Sequence, residues 1–434
     1  MNFRKYKQYP IVQNLQREWP NKQINQAPIY CSVDLRDGNQ ALINPLGIED
    51  KLEYFNTLVK MGFKQIEVSY PSASNTDFNF TRKLIEENLV PDDVSIQVLI
   101  PAKKEWIKKS VEAMEGVNNG IFHLYNPTNE FQRRVVFKKS DEEIIQMAVD
   151  SMKYLIELTK NFKGNITYQY SPESFSQTNL EFALKICNKV IDIVNPTLKN
   201  KMIINLPNTL EDCMPNIYAD RIEWMSKNLK NRQALILSVH PHNDRGTSVA
   251  SAELAVLAGA QKVEGTLFGN GERAGNLDLI NFAFNIYSQG IDPKINLSIV
   301  DKVKKMYEEK TQLKVNPRHP FVGDMIFTAF SGGHQDAIKK GIDFYRQNKS
   351  KEWKVPYLLI DPKDIKRGYE DVIRVNSQSG KGGVSFIISE FFGDNLNNKQ
   401  LKEFGLMVKE FSDKNQKELV KKEIIDLYKQ YKMK

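Results

Sequence analysis

Short apolar runs rich in β-branched residues recur along the first two thirds of the chain. They read IYCSVDL from Ile29, KQIEVSY from Lys64, VSIQVLI from Val94 and IFHLY from Ile121. NITYQYS follows from Asn165, KMIINL from Lys201, ALILSVH from Ala234 and KVEGTL from Lys262. Their starts lie roughly 25 to 45 residues apart, which leaves room for a helix between successive strands. Most intervals carry a helical pattern. In Glu142 to Thr159, Ile145, Ala148, Val149 and Met152 fall at i, i+3, i+4 and i+7 and share one helix face. Another helix begins near Glu49, where Glu49 and Asp50 suit the positive end of the helix dipole, and Gly62 closes it.

Strand–helix alternation repeated eight times predicts a parallel sheet closed by right-handed crossovers: an α/β fold, a (β/α)₈ TIM barrel from about residue 28 to about 310. An open doubly wound sheet is the alternative. It usually has fewer strands and a Gly-rich first turn, and no GxGxxG follows the first run. Residues 1–27, with Pro10 and Pro20, read as an irregular N-terminal arm. Residues 311–434 read as helical C-terminal subdomains, punctuated by NPRHP at Asn316, SGGH at Ser331 and NSQSGKGG at Asn376.

Composition narrows the class. The 434 residues carry 61 Lys plus Arg against 53 Asp plus Glu, a net charge of +8. The excess is spread out, and from Lys399 to Lys434 Lys alternates with Glu and apolar residues as in a solvated helix. That pattern argues against nucleic-acid binding, although a basic surface also helps an anionic substrate approach. Three widely spaced cysteines (Cys31, Cys187, Cys213) leave one unpaired in any scheme and fit a reducing compartment, and with no CxxC a structural zinc finger is excluded. Apolar runs such as Ala234 to Val239 fall far short of the ~20 residues that span a bilayer. The N-terminus MNFRKYKQYP has no apolar core segment. A cytoplasmic protein with no membrane partner is expected.

Barrel enzymes carry their chemistry where strands end, on the C-terminal face. Here the apolar runs stop at polar clusters: DLRDGNQ from Asp34, SPE at Ser171, NLPNT at Asn205, HPHNDRG at His240 and GNGERAGN at Gly269. His240 and His242 are i and i+2 in an extended segment, so both imidazoles point the same way. Asp37, at the end of strand one, is expected to reach the same point. Two His and a carboxylate leave positions open on a divalent cation, as a catalytic site needs. Arg36, beside Asp37, reads either as an ion-pair partner of Asp34 or Glu67 or as a cation for oxyanion charge. The loop from Gly269 to Asn276 presents backbone N–H groups or simply turns, and Glu272 and Arg273 within it tilt the reading towards function. His334, between Gly333 and Gln335, reads by itself as a helix cap or surface residue. NSQSGKGG reads equally as a phosphate-cradling nest or as a linker.

DLRDGNQAL at Asp34, HPHNDRGTSVA at His240 and GNGERAGNLDL at Gly269 together resemble the 2-isopropylmalate synthase family, in the Claisen-condensing branch of the DRE-TIM metallolyases. The resemblance extends through YNPTNEFQRRVVF at Tyr125, FTAFSGGHQDAIKKG at Phe327, VPYLLIDPKDI at Val355 and RVNSQSGKGG at Arg374. It covers roughly residues 25 to 390 and is closest to the long actinobacterial and fungal type. The resemblance implies condensation of acetyl-CoA with 3-methyl-2-oxobutanoate and water, giving 2-isopropylmalate and CoA, the first committed step of leucine biosynthesis. It implies a divalent metal, Mg²⁺ in cells with Mn²⁺ or Zn²⁺ as alternatives, held by Asp37, His240 and His242, with Asn276 in its shell. It assigns keto-acid contacts to Arg36, Glu173 and Thr209, and proton transfer to Glu272, His334 and Tyr357. It implies a homodimer in which the C-terminal region completes the partner's active site.

Leu99 and His123 are expected to line the pocket for the keto-acid side chain, where an apolar wall suits a branched alkyl group. Homocitrate, citramalate and methylthioalkylmalate synthases share the motifs and differ in that pocket. A lyase of the hydroxymethylglutaryl-CoA type would use a Cys in a Gly-rich loop, which none of the three cysteines occupies. A non-catalytic barrel would show a gap in the ligand set, and none is seen. The family typically adds a C-terminal leucine-binding regulatory domain beyond the point where this sequence stops, whether by truncation or by nature, and no inhibition by leucine is expected.

Overall fold

The computed structural model describes residues 1–434 apart from 14, 349–351, 370–383, 385–386, 389–391, 394–395, 420 and 434. The NSQSGKGG segment therefore lies outside the described residues. The chain divides into two compact units. The first is Met1–Asn296 with Lys305–Leu313, and the second is Leu297–Lys304 with Lys314–Lys434.

The first unit is a closed barrel in which every strand pairs with its sequence neighbour and β1 pairs with β8. The strands are β1 (Ile29–Ser32), β2 (Gln65–Ser69), β3 (Ser95–Pro101), β4 (Asn119–Pro127), β5 (Asn165–Glu173), β6 (Met202–Asn208), β7 (Leu235–Pro241) and β8 (Lys262–Gly265). All eight pairings are parallel. The helices between and after them are α1 (Ile48–Met61), α2 (Asn75–Glu86), α3 (Lys104–Ala113), α4 (Asp141–Thr159), α5 (Leu180–Val194), α6 (Pro215–Asn228), α7 (Ser248–Leu257) and α8 (Leu279–Ser288). Local chemistry sets their limits. Gly62 takes φ 97° after α1, a left-handed geometry that a side chain would oppose. Ser140 and Glu143 form a reciprocal capping box that starts α4. The face of α4 that the sequence pattern predicts, Ile145, Ala148, Val149 and Met152, is buried.

Period-two alternation separates two environments along the strands. Ile66, Val68, Ile96, Val98, Ile100, Leu237 and Val239 are buried apolar residues that supply the core. The alternate positions are polar and equally buried: Glu67, Gln97, Gln169, Ser238, Lys262 and Glu264. Their side chains meet across the barrel, as when Gln169 Nε2 on β5 donates to Glu264 Oε1 on β8 at 2.8 Å. Apart from Ser238, whose hydroxyl has no hydrogen-bond partner among the described residues, these buried polar groups beneath the mouth are hydrogen-bonded.

The N-terminal arm belongs to the first unit, where Arg17 makes a bidentate pair with the buried carboxylate of Asp220 on α6. In the second unit, Arg367 donates to Asp301 Oδ1 and to the carbonyl of Val322, both at 2.6 Å. The Lys-rich tail differs from the single helix that its pattern predicts. It forms two, Asn398–Asn415 and Lys421–Lys432, because Gln416 turns left-handed at φ 49° and ends the first. Phe404, Val408, Ile424, Leu427 and Tyr428 then share a small apolar cluster. Among the described residues no helix is long and apolar enough to cross a membrane.

Candidate metal centre and pocket

Strand register brings the polar ends of the motifs together. Ser32 stands opposite Gly265, so the helical turn Asp34–Gly38 after β1 lies beside the loop that follows β8. The amide of Leu267 in that loop donates to both carboxylate oxygens of Asp34, at 3.0 and 3.1 Å. The loop closes tightly: a Cβ on Gly275 (φ 97°) would fall 1.9 Å from the carbonyl oxygen of Gly269, so only glycine fits. Asn276 emerges from the loop to bridge the backbone of His242.

Asp37, His240 and His242 form a buried cluster whose ligand atoms lie within 4.8 Å of one another. Asp37 Oδ2 is 3.2 Å from His240 Nε2 and 3.9 Å from His242 Nε2, and the two rings stack with centroids 5.2 Å apart. The amide oxygen of Asn276 lies 2.8 Å from His240 Nε2. His240 Nδ1–H donates to Glu264 Oε2 at 3.1 Å, which fixes the tautomer and aims Nε2 at the cluster. Such a carboxylate–imidazole pair is the usual support for a metal-bound histidine.

The charges explain themselves by position. Burial works against a charged His240, but its hydrogen bonds to Asp37 and Glu264 and their negative charge prevail, and its pKa is pushed up to about 9. Burial dominates at His242, with Asp37 only partly offsetting it, and its pKa falls to about 4. Burial also opposes the Asp37 carboxylate, yet Arg36 and both imidazoles hold it well below the usual range. His242 Nδ1 is buried with no hydrogen-bond partner among the described residues. A carboxylate, two imidazoles and an amide oxygen converging in a site that draws positive charge suit a divalent metal ion.

Arg36 Nη1 lies 2.9 Å from Asp37 Oδ2, and its Nε pairs with Glu67. Of the two ion-pair partners expected from sequence, Glu67 is the one engaged. Glu67 Oε2 also meets His123 Nδ1 at 2.8 Å, and His123 Nε2 lies 2.6 Å from Ser171 Oγ. Beside the cluster opens a cavity of about 270 Å³, lined by Arg36, Leu99, His123, Glu173, Thr209 and Glu272 together with Tyr70, Tyr125, Ser171, Asn205 and Pro207. Burial raises the pKa of Glu173 at the end of β5. Thr209 Oγ1 accepts from the amide of Ser174, and Gln40 Nε2 donates to Glu272 at 3.4 Å. The barrel thus gathers ten of the predicted residues: Arg36, Asp37, Leu99, His123, Glu173, Thr209, His240, His242, Glu272 and Asn276. His334 and Tyr357 belong to the second unit, where both are exposed and their rings stack at 4.0 Å.

Sequence reasoning passed over Tyr70, Tyr125 and Pro207 in the lining, and Glu264 as the support of His240. Tyr70 carries no motif, and Tyr125 opens the YNPTNEFQRRVVF string without a role assigned to it. Glu264 did leave a trace, since a carboxylate inside a fully buried strand demands a partner.

The HMGL-like family model matches residues 27–306, and the model described as alpha-isopropylmalate synthase, post-catalytic domain-like, matches residues 324–389. The protein named 2-isopropylmalate synthase in Clostridium acetobutylicum is 51% identical over 433 residues, covering 99% of this chain and 78% of that one. The chain belongs to the 2-isopropylmalate synthase family. A second relative of that name, from Acetoanaerobium sticklandii, is 52% identical over 430 residues, 99% of this chain and 76% of that one. Among solved structures, the HMG-CoA lyase of Bacillus subtilis superposes with a TM-score of 0.54 at 17% identity, covering 67% of this chain and 95% of that one. At that identity the likeness bears on the barrel fold alone, which the synthase family shares with it.

Proposed function

We propose that the chain condenses acetyl-CoA with 3-methyl-2-oxobutanoate and water, giving 2-isopropylmalate and CoA. The carrying observation is the buried Asp37–His240–His242 cluster opening onto a pocket with an apolar wall, in a chain half identical to 2-isopropylmalate synthases along nearly its whole length. A divalent ion held by Asp37, His240 and His242, with Asn276 beside it, would act as a Lewis acid towards the keto carbonyl. Mg²⁺ is the ion we favour, and the same donors admit Mn²⁺ or Zn²⁺.

The protein's own groups supply the rest. Arg36, clamped between Asp37 and Glu67, stands ready to share the negative charge that develops on the keto oxygen as the new carbon–carbon bond forms. Leu99 and Pro207 offer apolar surface to the branched alkyl group, while Ser171 and Thr209 offer hydroxyls to its carboxylate end. Glu173 is kept at the pocket wall by its strand-end position. The acetyl methyl group must lose a proton to a base, and His334 with Glu272 is our candidate unit, with Tyr357 beside His334. Water then cleaves the thioester and releases the CoA thiol. His334 would act across a homodimer, in the partner's barrel. The reaction needs neither nucleic acid nor membrane, and we place it in the cytoplasm.

A thiol-release assay tests the substrate. Release is expected with 3-methyl-2-oxobutanoate, lost with EDTA and restored by Mg²⁺ or Mn²⁺. Preference for 2-oxoglutarate or pyruvate would move the chain to a homocitrate or citramalate synthase activity, and no release with any keto acid would overturn the assignment.

A further inference from the structure

Beneath the mouth lies a charged residue with no place in the reaction. Lys262 on β8 is fully buried. Its ammonium donates to the side-chain oxygens of Gln97 on β3 and Gln169 on β5, both at 2.9 Å, and lies 3.1 Å from Glu264 Oε1. An ammonium has three hydrogens and no acceptor, and these three oxygens match them. The consequence lies at the far ends of the two amides. A glutamine whose oxygen is taken by Lys262 must present its NH₂ the other way. Gln97 Nε2 accordingly donates to Glu67 Oε2 at 2.6 Å, and Gln169 Nε2 donates to Glu264 Oε1 at 2.8 Å. Glu67 holds Arg36 and His123, and Glu264 holds His240.

Rotating either amide by half a turn would aim an oxygen at a buried carboxylate and an NH₂ at an ammonium, which a low-dielectric interior penalises at both ends. An apolar residue in place of Lys262 removes that constraint and leaves Glu264 without its buried countercharge.

We propose that Lys262 is a positioning residue for the metal centre, setting through Gln97 and Gln169 the direction of the hydrogen bonds that hold Glu67 and Glu264, and through them Arg36, His123 and His240. The inference rests on the reading of Asp37, His240 and His242 as metal ligands. Support from beyond the ligands is worth about 10–100-fold in metal affinity when it is lost.

The test is Mn²⁺ binding followed by electron paramagnetic resonance, with no substrate present, on the full chain. Lys262→Met is expected to weaken Mn²⁺ binding by about 10–100-fold. Gln169→Met should weaken it less, and the double variant should bind within about threefold of Lys262→Met, because the two residues act in one chain of contacts. Melting temperature is measured alongside. A purely structural role for Lys262 would lower it and leave Mn²⁺ affinity unchanged, and that result overturns the proposal, as do additive losses in the double variant. Should Lys262→Met fail to fold, Gln97→Met and Gln169→Met carry the test, and wild-type Mn²⁺ affinity in both overturns it. A wild-type chain that binds no Mn²⁺ would overturn the metal reading itself, and this inference with it.

Discussion

Two histidine sites in this chain are built in opposite ways. His240 is buried, hydrogen-bonded through Nδ1 to Glu264, and faces Asp37 and Asn276 through Nε2. Glu264 is in turn held by Lys262 and Gln169. His334 is exposed at the start of the helix Gly332–Asn348, and its ring stacks on that of Tyr357, itself 64% exposed. The first imidazole has its orientation imposed by a chain of buried bonds inside one unit. The second has a stacking partner and is otherwise exposed, and on the proposed reading a second copy of the chain would complete its surroundings. A metal ligand has to be rigid before its ion arrives, whereas a base delivered by another subunit is ordered on assembly.

The largest effect should come from the held site. His240→Ala removes a proposed ligand and is expected to lower kcat/KM by at least about a thousandfold, several kcal/mol of lost stabilisation. Steady-state kinetics with saturating Mn²⁺ checks it, and a variant within tenfold of wild type would break the contrast. His334→Ala should lower kcat by about a hundredfold or more while leaving Mn²⁺ affinity at its wild-type value. Co-refolding it with His240→Ala sharpens the point. If sites are completed across a two-fold dimer, the mixture should recover about one quarter of wild-type activity, since half the dimers are mixed and each has one intact site. No recovery would place His334 in its own chain's site or outside the chemistry. The smallest effect is expected of Glu264→Gln, which keeps the shape and removes the charge behind His240. Mn²⁺ affinity should fall about 10–100-fold, measured by direct titration. An unchanged value would show that His240 does not depend on that support.

The recurring apolar runs and the 3.6-residue patterns between them were enough to read the barrel, because elements that must be buried show it in the order of their residues. The polar clusters at the strand ends pointed to Asp37, His240 and His242, since hydrophobic strands end visibly and the i, i+2 spacing of two imidazoles survives in any extended segment. Arg36 was legible as a cation beside the site, but its choice of Glu67 over Asp34 was not. That choice turns on β2 lying beside β1 in the closed sheet, while Asp34 is spent on the amide of Leu267 and the hydroxyl of Tyr54. Tyr70, Tyr125, Ser171 and Asn205 meet in one pocket although up to 135 residues separate them, and linear spacing carries no record of such a meeting.

What the amino-acid order determined by itself was the set of elements and the residue types at their ends, for those follow from local periodicity and from the cost of burying polar groups. What only the tertiary structure decided was which buried groups answer one another. Lys262 and Glu264 read in sequence as two opposite charges on one strand, and closure of the barrel brought Gln97 and Gln169 from β3 and β5 against them. A buried charge requires a partner, but the chain order does not say which strand supplies it; the curvature and register of the sheet do.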